Sequence, residues 1–263
     1  FNNSKEILFY LAEEMKIENL SDEFLSEIVL PMSLYFNHRF PKRTKPYFIC
    51  FTGGQGSGKT TLSFFIQKVL NKILERPSMG FSIDDIYKSP EERKYLAETV
   101  HPLCYVRGVP GTHDIDMGLD LINKLTQAKS HTETKIPIFC KPEDKHYPKK
   151  EWPIYQGKPD FIFFDAWCGG ARPLPEEDWQ PPLNVLEAEK DPDGIWSKWS
   201  NKELSKEDSN ITKYEQDRNI KMRANRNWFR NSNDKFKNLP DSIIELFEDK
   251  YLTVMSAISD LPK

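Results

Sequence analysis

Eight residues, Gly53-Gly54-Gln55-Gly56-Ser57-Gly58-Lys59-Thr60, constrain this chain more than any other stretch. They follow a short apolar run, Tyr47 to Thr52, that has the composition of a strand. They precede a pattern in which Leu62, Phe65, Ile66, Val69, Leu70 and Ile73 recur at the spacing of an amphipathic helix. A glycine-rich loop between strand and helix, ending in Gly-Lys-Thr, matches the Walker A pattern G-x-x-x-x-G-K-[ST]. Glycines let successive backbone N–H groups turn toward phosphate oxygens without Cβ clashes. The helix that follows presents its free N–H groups and partial positive charge to the same anion. The backbone from Gly53 to Thr61 is therefore expected to cradle the phosphates of a nucleotide. Lys59 is expected on the β- and γ-phosphates of ATP, and the Thr60 hydroxyl on Mg²⁺. The bland alternative is a glycine turn without phosphate, and the placement between a strand and a helix argues against it.

The rest of the chain extends the same architecture. Met79 to Ile83, Ile136 to Phe139 and Phe161 to Phe164 read as further short strands, and helical patterns separate several of them. Three of the four runs lack polar alternation, as expected for parallel strands covered on both faces. The expected fold is α/β, a three-layer P-loop domain with a mainly parallel sheet and helical additions at both ends. The first forty residues are expected to be helical: Ile7, Leu8, Leu11, Ala12 and Met15 recur at helical spacing, and so do Phe24, Leu25, Ile28 and Val29 before Pro31. The division expected is a helical extension over 1–46, an α/β core over 47–204, and a polar segment over 205–263 closing in a helix from about Pro240. No internal repeat is visible.

Composition narrows the partners. The chain has 263 residues, with 38% hydrophobic, 29% charged and a net charge of −3. That balance suits a soluble globular domain and gives no electrostatic reason to expect nucleic acid or an anionic membrane as a partner. The four cysteines, Cys50, Cys104, Cys140 and Cys168, form no Cys-x-x-Cys pair, and buried reduced thiols in a cytoplasmic protein are the expectation. No apolar run is long enough to span a bilayer. The sequence leaves the oligomeric state open.

Walker A alone does not separate kinases from GTPases or motor ATPases. A GTPase would carry a guanine-reading Asn-Lys-x-Asp motif, and the chain has none. Ser82-Ile83-Asp84-Asp85-Ile86-Tyr87 places two carboxylates at the end of a predicted strand, where ligands gather in a parallel sheet. A kinase needs a carboxylate there to orient or deprotonate the attacking hydroxyl, and Asp84 is the candidate. Asp85 and Tyr87 are candidates for the acceptor side; a helix cap is the alternative reading of the acidic pair. Arg107-Gly108-Val109-Pro110-Gly111-Thr112-His113-Asp114 is a turn-rich loop. Its Arg107 suits a carboxylate or phosphate, and His113 a hydrogen bond to substrate. Asp114 reads equally as the cap of the next helix. Asp165, directly after Phe161 to Phe164, fits a Walker B-like acid acting on Mg²⁺. Arg172, beyond a glycine pair, reads either as an anion-binding arginine or as a surface residue.

Taken together these motifs resemble the D-glycerate 3-kinase family of P-loop kinases, which is related to pantothenate kinase, uridine kinase and phosphoribulokinase. The resemblance runs through the Walker A loop, Ser82 to Tyr87, Arg107 to Asp114, Trp167 to Pro173 and Asn184 to Gly194, in family order. It implies transfer of the ATP γ-phosphate to a hydroxyl of a small molecule, D-glycerate in the named members. By the same likeness Asp84 matches the acid that serves as base or metal-site residue, so the metal set implied is Thr60, Asp84 and Asp165. Two positions depart from the family pattern: Asp165-Ala166 stands for the usual Glu-Gly, and Cys140 for an Asp. After Leu204 relatives carry another strand and a helical lid, where this chain offers Tyr214-Glu215-Gln216-Asp217-Arg218. Alternative readings are a kinase of another alcohol, pantothenate- or nucleoside-like, and a nucleotide-binding protein without turnover.

Overall fold

The structure is a computed structural model, and it describes residues 23–54, 56–171, 173–178, 182 and 184–204. The helix predicted around 7–15, the polar stretch after 204 and the helix from Pro240 lie outside the described residues. So do Trp179, Arg172 and Gln55.

The continuous apolar runs become strands buried on both faces. β1 (Tyr47–Thr52), β7 (Phe161–Ala166) and β2 (Ser78–Ser82) form a parallel sheet in the order β1-β7-β2. Side chains alternate across a pleated strand, so each run feeds two cores. Tyr47, Ile49, Phe51, Phe161 and Phe163 point into one. There they meet α1 (Leu30–Arg39) and, through Leu62, Phe65, Ile66, Val69 and Leu70, α2 (Lys59–Lys72). Phe48, Cys50, Met79, Phe81, Ile162 and Phe164 point into the other, against Leu121, Ile122 and Leu125 of α4 (Ile115–Gln127). Helices on both faces of the sheet make the three-layer α/β arrangement expected of a P-loop domain. Each such side chain contributes roughly 1.5–3 kcal/mol on burial, which makes β7, buried at all six positions, the centre of the sheet's stability.

Register matters more than content for the site. Thr52 of β1 pairs with Ala166 of β7, and Ser82 of β2 with Asp165, so the carboxyl ends of all three strands finish level. The loop 53–58, the turn after β2 and the segment after Asp165 therefore open on one edge.

One element differs from expectation. The run Ile136 to Phe139 does not enter the parallel sheet. Pro137 removes a ladder donor, and only β4 (Phe139–Cys140) is extended, in an antiparallel hairpin with β5 (Lys145–His146). A second small antiparallel pair joins β3 (Glu133–Lys135) to β6 (Ile154–Gln156). At the other end the helical spacing before Pro31 continues through it. A wider π-helical stretch, Phe24–Val29, leads into α1 with Pro31 in its first turn, where a missing N–H costs nothing.

Caps set the remaining boundaries. Ser89 and Glu92 form a reciprocal capping box that starts α3 (Pro90–Thr99). Asp114 accepts the Met117 N–H at 3.0 Å to start α4, and Asn184 accepts that of Glu187 to start α5 (Val185–Lys190). A last described helix, α6 over 195–204, is capped by buried Asp191, which accepts from the backbone N–H groups of Trp196 and Ser197, both at 2.9 Å. All four cysteines are buried and unbridged. Among the described residues no helix is long and apolar enough to cross a membrane.

Candidate functional site

The loop after β1 takes the conformation its glycines allow. Gly56 and Gly58 sit at φ 74° and 83°, a left-handed backbone that other residues adopt at a cost, and a Cβ at either would meet nothing within 4 Å. The space beside each of these two glycines is thus clear of other described atoms. Gly58 caps α2 without any side-chain bond, leaving that helix's first N–H groups toward the opening. Lys59 turns back over the loop, its ammonium donating to the Gly54 carbonyl at 3.1 Å and standing 4.0 Å from Asp165 Oδ1. Thr61 lies half-buried in the first turn of α2, and the Ser57 hydroxyl is buried without a hydrogen-bond partner among the described residues.

Asp165 ends the apolar stretch of β7 next to this loop. It accepts a short hydrogen bond from the Thr60 hydroxyl through Oδ2, while Oδ1 is buried with no hydrogen-bond partner among the described residues. Burial pushes its carboxyl above the usual range, opposed by the Thr60 bond and by the nearby Lys59 charge. Such a carboxylate gains from a cation. Magnesium at phosphate sites is held by one or two protein oxygens together with the substrate phosphates rather than by a full protein cage. Thr60 Oγ1 and the unsatisfied Asp165 Oδ1 fit that hard-oxygen demand. Among the described residues no group of three or more His, Cys, Asp or Glu is placed to hold a metal unaided.

The acidic pair after β2 divides its labour. Asp85 folds back as half of a capping box, accepting from the backbone N–H groups of Ser82 and Phe139, and burial raises its carboxyl. Asp84 points the other way. The Tyr87 hydroxyl donates to its Oδ1 at 2.8 Å and the Lys141 ammonium to its Oδ2 at 2.6 Å. Burial alone would raise Asp84, yet those two donors carry its carboxyl below the usual range. Beyond burial, the Asp84 charge adds to the rise of Asp165 and Asp85, which places all three acids near one another.

The Arg107–Asp114 loop is lashed to that turn. Lys88 N–H donates to the Thr112 carbonyl at 2.9 Å and Asp114 N–H to that of Ile86 at 2.6 Å. The His113 ring, fully buried, stacks on Tyr87 with centroids 4.7 Å apart. Arg107 lies over the Tyr87 and Phe139 rings, with Nε 3.2 Å from Asp144 Oδ1. The Trp167 indole N–H, just past Asp165, donates to the Gly108 carbonyl at 2.8 Å and so ties the end of β7 to the same loop. The structure thus brings Lys59, Thr60, Asp84 and Asp165 to the level strand ends. It sets Tyr87, His113 and Arg107 behind Asp84 and gives Asp85 to a cap. Arg172 and Gln55 lie outside the described residues.

Three residues at the site were not singled out from sequence. Lys141 follows a two-residue strand, Asp144 closes the hairpin at φ 54°, and Arg93 reaches out from α3 to bond Asp144 at 2.6 Å. The one available signal was a charge directly after an apolar run, the pattern that marks Asp84 and Asp165. Loops are rich in charges, so that signal singles out no residue by itself. Cys140, where the resembled family has Asp, is buried beside the Tyr147 hydroxyl.

No protein-family profile matches the chain. In sequence it is 30% identical over 156 residues to the uncharacterized kinase mug58 of Schizosaccharomyces pombe, spanning 56% of each chain. It is also 30% identical over 139 residues to the D-glycerate 3-kinase, chloroplastic, of Arabidopsis thaliana, spanning 50% of this chain and 30% of that protein. The chain therefore spans about half or less of the curated relatives it matches. In fold it is similar to the solved D-glycerate 3-kinase of Cryptococcus neoformans, with a TM-score of 0.53, 18% identity and 88% of each chain covered. The chain is thus similar in sequence to kinases that include a D-glycerate 3-kinase, and it shares the fold of a solved one.

Proposed function

We propose that this protein is an ATP-dependent kinase that transfers the γ-phosphate to a hydroxyl of a small molecule, a hydroxy acid of the size of D-glycerate. One observation carries the reading. A phosphate loop, an acid bonded to the Thr60 hydroxyl and a second acid free of capping duty meet at the level ends of three parallel strands. Phosphoryl transfer depends on holding donor and acceptor in line and on neutralising charge, and those groups suffice for both.

The assignments follow from position. The backbone of the 53–58 loop and the first N–H groups of α2 hold the phosphates, with Lys59 released from Gly54 to the β- and γ-oxygens. Thr60 and Asp165 would hold Mg²⁺, which supplies positive charge on the transferring phosphate. Asp84 orients the acceptor hydroxyl and takes its proton. Tyr87, stacked on buried His113, keeps the Asp84 carboxylate turned to the cleft. Arg107, held by Asp144, adds positive charge on the acceptor side.

ADP release by the purified protein, measured against D-glycerate, related hydroxy acids, pantothenate and nucleosides, tests the reading. Selective stimulation by small hydroxy acids is expected. Hydrolysis that no acceptor stimulates would sink the kinase reading, and selective stimulation by pantothenate or a nucleoside would move the substrate to another alcohol.

A further inference from the structure

Asp84 is placed to accept a proton, yet both of its oxygens are already taken, by the Tyr87 hydroxyl and by the Lys141 ammonium. The two donors differ in freedom. Tyr87 is buried, stacked on His113 and joined to it by a backbone bridge, so it cannot withdraw without unpacking the turn. The Lys141 side chain is 60% exposed and ends a flexible four-carbon stem.

The hairpin beneath Lys141 is fixed, so movement is confined to the side chain. Phe139 packs on Tyr87 with centroids 5.4 Å apart, and His146 Nε2 meets the Asp85 carbonyl at 3.0 Å. Asp144 is bonded to buried Arg93 and paired with Arg107. The other nearby cations have their own partners. Lys59 lies on Gly54, Lys88 on the His113 carbonyl, and Arg107 between Asp144 and two aromatic rings.

A carboxylate with an ammonium 2.6 Å from one oxygen and a hydroxyl donating to the other is a poor proton acceptor, because an arriving proton would confront the ammonium. Lys141 must leave Oδ2 before Asp84 can act. A neutral alcohol offers nothing to draw it away, whereas an acceptor with its own carboxylate offers an equivalent anion.

We propose that Lys141 is a latch on Asp84 which the carboxylate of the acceptor releases, so that recognising the acid and uncovering the base are one event. The inference rests on the kinase reading and deepens it by naming the anionic group of the acceptor as the feature recognised. With Lys141 on the acceptor carboxylate, the acceptor hydroxyl oxygen bonds to the γ-phosphorus. The bond from that phosphorus to the β,γ-bridging oxygen breaks with its electron pair leaving on ADP, and the hydroxyl proton passes to Asp84.

D-glycerate and glycerol share a carbon skeleton and differ in the carboxylate, which makes them the probes. Each is titrated calorimetrically into the full chain loaded with a non-hydrolysable ATP analogue, as wild type, Lys141→Met and Lys141→Arg, and turnover is then measured with ATP. D-glycerate is expected to bind wild type at least about tenfold tighter than glycerol. Lys141→Met is expected to lose about 10–100-fold toward D-glycerate, the range of one charge-assisted hydrogen bond, with glycerol and the nucleotide analogue unchanged. Lys141→Arg is expected to recover part of the discrimination. In turnover Lys141→Met should raise the KM for D-glycerate while glycerol, facing an uncovered base, gains in kcat/KM. Equal losses for both probes would reduce Lys141 to a structural role and overturn the proposal, as would unchanged D-glycerate affinity in Lys141→Met or wild type that binds neither probe. Wild type that binds D-glycerate through Lys141 but never turns it over would overturn the kinase reading while leaving the carboxylate contact standing.

Discussion

Asp84 and Asp85 are neighbours with the same side chain, and their surroundings give them different work. The Ser82 and Phe139 N–H groups take Asp85 into a cap, while Tyr87 and Lys141 hold Asp84 ionised at the cleft. We expect Asp84→Asn to bind ATP with near-normal affinity by calorimetry while kcat falls about 10²–10⁴-fold, the range of a lost general base. Near-normal turnover in that variant would remove Asp84 from the chemistry. Lys59→Ala is expected to lower turnover by at least about 10²-fold, in keeping with the loss of one preorganised charge on a transferring group. Lys59 and Thr60 were legible in the sequence because the Walker A spacing encodes backbone geometry within eight residues. Lys141 was not, because its contact with Asp84 spans 57 residues and depends on how the hairpin docks.

The elements around the site are held by a few close approaches. Gly111 lies at φ 93°, and a Cβ there would overlap the Trp199 ring of α6, which also reaches the same loop through Ser200 Oγ on the Pro110 carbonyl. Gly111→Ala therefore combines backbone strain with displacement of a packed indole, and we expect a loss of about 1–3 kcal/mol in urea unfolding together with a changed tryptophan emission. Gly80→Ala serves as the contrast. Its Cβ would meet the end of the Gln67 side chain, which can swing aside, and its φ is unexceptional, so a loss below about 1 kcal/mol is expected. Arg76 joins α1 to the sheet: it is 3% exposed, pairs with Asp160 at 2.5 Å and donates to carbonyls of Asn37 and Phe40. Arg76→Ala strips two carbonyls and the partly exposed Asp160 of their donor, so it should cost about 1–3 kcal/mol by the same measurement. Strands β1, β2 and β7 were legible because a run buried on both faces needs no alternation. The hairpin was misread as a sheet strand because apolar content outweighed Pro137.

Across the whole molecule, the nucleotide should act as a fastener. Gly56 and Gly58 have clear space beside them, Lys59 rests on the Gly54 carbonyl, and Asp165 keeps a buried oxygen without a hydrogen bond among the described residues. A ligand that binds the folded state alone stabilises it by mass action, about 2.7 kcal/mol at a hundredfold excess over Kd. Scanning calorimetry with Mg²⁺ and ATP should therefore show a raised Tm for wild type and none for Lys59→Ala, and an equal shift in both would detach the loop from nucleotide binding. The sequence by itself determined the glycine-rich loop between strand and helix, the doubly buried strands and the α/β class, and it offered Asp114 as a cap. Each of these rests on hydrogen-bond and periodicity rules that operate within a dozen residues. Only the tertiary structure decided that Asp165 meets Thr60 across 105 residues, that Asp85 caps while Asp84 faces the cleft, and that Lys141 closes on Asp84. Those pairings depend on strand order, register and the docking of a hairpin, which no local window of residues contains.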